Sequence, residues 1–167
     1  TPSLGMAGRG EVRRAGRPRD GCTLAVIGEG AAAFGGSVLD AVSGCGGEAP
    51  PLADPRTVAA VRDLVQAGSI EAATDISRGG LLAALARLAP RSEIALRGDM
   101  LDELFSESYG RFLVALRDGV PLCNVGYRAI GTTGGDALRI RCGSQRLVLE
   151  EGEIEAALSA TTRTMRY

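Results

Sequence analysis

Histidine and tryptophan do not occur in this chain, and neither does lysine: all 19 basic side chains are arginine. Without an imidazole, acid/base catalysis by histidine is ruled out within these 167 residues, and so is a histidine metal ligand. The four cysteines, Cys22, Cys45, Cys123 and Cys142, stand far apart with no CxxC pair. That spacing offers neither a zinc framework nor a disulfide-dense scaffold, so four reduced thiols and no metal site are expected. No apolar run approaches the roughly 20 residues of a membrane span, and the opening TPSLGMAGRGEVRRAGRPRD has no apolar signal-peptide core. A cytoplasmic location without a membrane partner is expected. The net charge of −1 removes the bulk electrostatic drive of a nucleic-acid binder.

What the chain does have is glycine, 24 residues of it, and a 45% hydrophobic content that can fill a core. At this length one domain is expected. Residues 1–20 differ from the rest: Arg9, Arg13, Arg14, Arg17 and Arg19 stand among glycine and proline. This is the pattern of a solvated connector, with contact to a phosphate or a partner as the alternative. The domain proper is then 21–167.

TLAVIGE (23–29) predicts a buried strand that runs into a glycine-rich loop at Gly35-Gly36-Ser37 and a short helix. Farther on, Asp54 caps a helix with Pro55 at its first position, an apolar stripe of Val58, Val61, Leu64 and Val65, and Gly68 at its end. SIEAATD is strand-like. A second helix carries Leu81, Leu82, Leu85 and Leu88 on one face. GDMLDELF reads as a short capped helix, which takes Asp99, Asp102 and Glu103 for its first turn rather than for a metal. RFLVAL predicts a strand, DALRIRC and RLVLEE a hairpin around GSQ, and EIEAALSATTRTM a closing helix. The result is an α+β fold, a layered mixed β-sheet with covering helices.

Two segments could carry chemistry. Gly35, Gly36 and Ser37 can present backbone N–H groups and a hydroxyl to a phosphate ahead of a helix, or simply make a turn. In TDISRGGLLAALARLA (74–89), Asp75 or Ser77 is expected to cap the helix. Gly79 and Gly80 are expected to let it start close against a strand, and Arg78 is left to meet a phosphate or a partner's carboxylate. Glu107, Ser108 and Arg111 in FSESYGR form either an interdomain hydrogen-bond network or an ordinary loop.

Taken in order, TPSLGMAG, IGEGAAAFGGSVL, PPLADPRTVAAVRDLVQAGSIEAATDISRGGLLAALARLA, LFSESYGRFLVAL and AIGTTGGDALRI resemble one family. They are similar to the last domain of the large subunit of phosphoribosylformylglycinamidine synthase, of the aminoimidazole ribonucleotide synthetase superfamily. The resemblance implies an ATP- and magnesium-dependent ligase of purine biosynthesis that uses glutamine-derived ammonia. Its catalytic histidine and metal-binding acids lie upstream of the matching region, so this chain is expected to be silent alone and to bind no cofactor tightly. Implied partners are the preceding domains, a glutamine amidotransferase subunit and, for a lone domain, a second copy. In the family's second half, which this chain resembles, the matching glycine loop implies an auxiliary nucleotide or phosphate contact at Gly35, Gly36, Ser37, Asp75, Ser77, Arg78, Gly79 and Gly80.

Departures from the pattern are Ala73-Thr74-Asp75, where many members have Ala-His-Asp, Arg78, where an acid is common, and RDGVPLCNVGYRA (117–129), which reads as a shortened helix. ISRGGLLAAL also approaches the hydrogenase-maturation carbamoyl-dehydrating protein of the same superfamily. LFSES followed by GRFLVAL favours the purine enzyme.

Overall fold

The computed structural model describes residues 16–30, 32–50, 52–117 and 126–164. β1 (Thr23–Ile27) is buried on both faces and lies inside a seven-stranded sheet, third from one edge. On one side it pairs with β4 (Phe112–Leu116), which in turn pairs with the edge strand β2 (Ile70–Asp75). On the other side it pairs with β5 (Tyr127–Thr133), beyond which lie β3 (Ser92–Leu96), β6 (Ala137–Cys142) and the second edge, β7 (Gln145–Glu150). The order is β2-β4-β1-β5-β3-β6-β7, antiparallel at every step except β3–β6. This is the mixed sheet of an α+β domain.

The helices divide between the faces. α2 (Pro55–Gln66) starts on Asp54, whose carboxylate accepts from Arg56 N–H at 2.9 Å, with Pro55 where no N–H is needed. Its Val61 and Leu64 pack on Ala25, Ile27, Ile70, Val114 and Leu116. Val58, expected in the stripe, is exposed, and Val65 is only partly buried. α3 (Gly80–Leu88) buries Leu81, Ala84, Leu85 and Leu88 on the opposite face, against Leu24, Val26, Leu113, Ile130 and Ile140. Each such fully buried leucine contributes about 1.5–3 kcal/mol. α4 (Met100–Phe105) is capped by Asp99, which accepts from Leu101 N–H at 2.8 Å, and adds Leu104 to the same core. α1 (Val38–Ser43) buries none of its own residues, and α5 (Glu151–Thr164) follows β7 and contributes Ile154.

Two strands depart from expectation. SEIAL forms β3, and the YRA end of RDGVPLCNVGYRA belongs to β5 rather than to a shortened helix. β5 buries only Ile130 and Thr133, and its extended state is imposed by ladder bonds from β1 and β3 on either side. The remainder of that segment, 118–125, lies outside the described residues, as do Cys123 and most of the N-terminal arginine run. Cys22, Cys45 and Cys142 form no disulfide.

The start of the described chain is fastened to the sheet. Arg17 pairs with Glu151 of α5, and Thr133 Oγ1 receives Cys22 N–H at 2.9 Å. Arg19 gives its backbone N–H (2.8 Å) and two guanidinium bonds (3.1 and 3.0 Å) to the Glu71 carboxylate on β2. Those contacts hold the Glu71 carboxyl at about 2, below its ordinary 4.5. A depressed folded pKa adds stability that is complete above pH 4.5 and is lost as the pH falls toward 2. Urea midpoints of the wild type should therefore drop between those limits. Glu71→Gln should already lie lower at neutral pH and show a shallower acid limb, and parallel curves would count against this tether.

Candidate functional site

The two glycine segments singled out in the sequence meet at one side chain. Ser37 caps α1, its hydroxyl accepting from Asp40 N–H at 3.0 Å. Asp40 reaches back to take Gly36 N–H at 3.0 Å and Gly46 N–H at 2.7 Å, which holds its carboxyl below the usual range. Gly35 N–H goes to the Glu48 carbonyl at 3.0 Å and Ser37 N–H to the Phe34 carbonyl at 2.9 Å. The next donor, Val38 N–H, reaches Glu107 Oε1 at 2.7 Å, and the same oxygen takes Gly79 N–H at 2.9 Å. All four N–H groups from Gly35 to Val38 therefore donate within the chain. Two of them end on carboxylates.

The cap of α3 differs from expectation. Neither Asp75 nor Ser77 caps it through a side chain; the N-cap is Gly79, and Glu107 from the α4–β4 loop supplies the carboxylate. A side chain 28 residues away does this because Asp75 is still in the β2 ladder and the intervening turn closes on itself, Gly80 N–H to Ser77 O at 2.9 Å. Gly79 and Gly80 both have positive φ, +83° and +65°. The neighbour they admit is α4 rather than a strand: a Cβ on Gly80 would collide with the Leu104 carbonyl and lie 2.9 Å from Phe105 Cα. Arg78 is exposed.

Ser108 is fully buried with its hydroxyl 3.2 Å from that of Ser106. Arg111, at the entry to β4, is 4% exposed. It lies on the wall of an open cleft of about 1260 Å³, away from the glycine turns. The cleft is bounded by the loop after β1, the start of α2, the start of α4 and the Tyr127–Arg128 end of β5. Arg111 Nη1 makes one long bond to the Ser106 carbonyl, 3.4 Å, and buried Nε has no partner. Burial pulls the Arg111 guanidinium's pKa down; Glu103 opposes this and Arg128 reinforces it. Arg128 is itself clasped by Glu103 through two bonds of 3.1 and 2.6 Å. Sequence reasoning missed Arg128, Tyr109, Tyr127 and Gly30 as cleft residues, because the cleft forms only when segments far apart in the chain converge. Glu103, expected to serve its helix, also binds Arg128.

Among the described residues no three Asp, Glu or Cys side chains converge as a metal ligand set, and no helix is long and apolar enough to cross a membrane. Burial pushes the Cys142 thiol up, and its S–H donates to the Gly98 carbonyl at 3.1 Å, so it is a packed thiol rather than a nucleophile.

A seven-stranded mixed sheet with helices on both faces defines the class as an α+β domain, and comparison with known families narrows it: residues 19–120 match the family described as AIR synthase related protein, C-terminal domain. The chain belongs to that family. It is similar to phosphoribosylformylglycinamidine synthase subunit PurL of Methanosarcina mazei, 34% identical over 99% of this chain and 26% of the relative. PurL of Pyrobaculum neutrophilum is 35% identical over 82% of this chain and 21% of the relative. Among solved structures, Thermotoga maritima PurL complexed with ATP superposes with a TM-score of 0.64 at 16% identity, covering 84% of this chain and 26% of that one. The Thermotoga maritima PurLQS structure gives 0.62 at 17%, covering 82% and 26%. These structural matches establish the fold. The chain spans about a quarter of the curated relatives it matches.

Three substitutions separate packing from recognition here. Gly80→Val should cost on the order of 1–3 kcal/mol through overpacking against α4, and Glu107→Ala about 0.5–2 kcal/mol through loss of the acceptor shared by two helix starts. Arg78→Ala should leave the melting temperature nearly unchanged. Denaturation curves check all three, and a damaging Arg78→Ala beside a neutral Gly80→Val would reverse the assignment.

Proposed function

We propose that the chain serves as the C-terminal domain of an ATP-dependent phosphoribosylformylglycinamidine synthase of purine biosynthesis. The observation that carries this is the 34% identity to a PurL subunit sustained over 99% of the chain. The synthase names of the relatives favour this enzyme over the hydrogenase-maturation protein of the same superfamily. In the full enzyme ATP and magnesium would be held by other domains, since this chain has no histidine and its described acids form no metal cluster. Its contribution is packing: contacts with the preceding domains and, in the cytoplasm, with a glutamine amidotransferase subunit. The fold shared with the Thermotoga maritima PurLQS structure supports a place in a larger assembly of this kind.

An auxiliary nucleotide or phosphate contact at Gly35, Gly36, Ser37 and the Ser77–Gly80 turn belongs to this reading only if the ligand displaces Glu107 and Asp40. Both carboxylates occupy the donors that a phosphate would use. Arg78 is the group left to assist it.

The purified chain should neither release phosphate from ATP nor form the amidine when ammonia is supplied directly. Magnesium-dependent phosphate release above a heat-killed control would sink the reading of a catalytically silent domain.

We propose that the lone domain also self-associates. α2 packs on one face over β2, β4 and β1, whereas Glu93 and Ala95 of β3, Arg141 of β6 and Val148 of β7 are exposed. Exposed apolar surface tends to be an interface, and Ala95 and Val148 are the apolar members of this face. Light scattering should show a species larger than one chain, and a monodisperse monomer at high concentration would count against it without touching the family.

A further inference from the structure

We propose that Arg111 anchors a binding site for a single carboxylate group in the cleft between the β1 loop, α2 and α4. The residue is 4% exposed, yet its Nε is buried with no acceptor, and at the far edge of the guanidinium Nη1 reaches the Ser106 carbonyl only at 3.4 Å. The Nε–Nη2 edge is the fork that a carboxylate meets with two parallel bonds. A buried guanidinium left in this state costs free energy unless something completes it.

The surroundings are fitted to the guanidinium. A Cβ on Gly30 would lie 2.8 Å from the Arg111 guanidinium carbon and 2.9 Å from Nε, so only glycine lets the loop lie on it. Gly110, at φ +75°, packs in the same way against Ala53, where a Cβ would come within 2.8 Å of the alanine Cβ. Three loops are thus drawn together around one cation.

Charge selects the ligand. Glu103 is neutralised by Arg128, while Asp54 and Asp99 are engaged at the starts of α2 and α4. The cluster of Arg111, Glu103 and Arg128 carries one net positive charge, which one monoanion cancels. The lining also carries Glu29, Asp54, Asp99 and Asp102 against Arg56 and Arg97, so a phosphate dianion overshoots the cluster and meets more repulsion than a monoanion does. The inference does not rest on the purine assignment and holds or fails separately from it.

Arginine Nε–Hε resonances of the 15N-labelled chain provide the test, with sodium acetate, sodium glutamate and inorganic phosphate titrated at constant ionic strength in chloride. Acetate or glutamate should shift the Arg111 signal and the Gly30 and Gly110 amides saturably in the millimolar range, and Arg111→Met should abolish the amide shifts. If Arg111→Met does not fold, Arg111→Lys, which keeps the charge and loses the fork, should bind acetate about tenfold more weakly. Saturable shifts with phosphate and with neither carboxylate overturn the ligand class. No saturable shift with any of the three, or amide shifts that persist in Arg111→Met, overturn the site.

Discussion

One carboxylate oxygen, Glu107 Oε1, receives the first N–H of α1 and the N-cap N–H of α3. Helix starts leave donors that must be satisfied, and both starts here follow glycine turns that present no capping side chain at the needed place for Val38 and Gly79. Sharing one acceptor fixes the distance between the two turns, and with it the seat of α3 on the core. The collision a Cβ at Gly80 would make with α4 belongs to the same arrangement: the loop that carries Glu107 leaves α4 directly beneath the α3 start. The glycine pair and the glutamate are therefore one device distributed over two segments.

The same device bears on the phosphate expectation. A glycine loop before a helix attracts anions because its N–H groups are unpaired and aligned. Here the protein supplies its own anions, Asp40 from inside α1 and Glu107 from the next layer, and the pull of the helix start is spent on folding. Among the described residues the buried side-chain donor without an acceptor lies elsewhere, at Arg111.

Much of the fold was legible from local rules. Asp54-Pro55 and Asp99 announced α2 and α4, the leucine spacing announced α3, and GSQ announced the β6–β7 hairpin. β3 and β5 were not, for a shared reason. SEIAL alternates buried and exposed positions but over only five residues, and YRAIGTT brings one large aliphatic side chain of its own. Both are held as inner strands that join the two halves of the sheet, so their state is decided largely by partners. The site divides likewise. Ser37 as a cap is a local fact, whereas the Glu107 bridge and the Arg111 cleft are built from segments that meet only after folding.

The placement of β1 governs the order in which this molecule can assemble. It is the first strand among the described residues and an inner strand of the sheet, yet Thr23 pairs with Leu116 on one side and Thr132 on the other. Neither neighbour exists when β1 leaves the ribosome. Its ladder groups and apolar side chains must wait until both later strands have been made, with the long loop closures that slow topologies of this kind. For this protein the vulnerable interval is synthesis itself, when the TLAVI strand lacks both of the strands that later flank it.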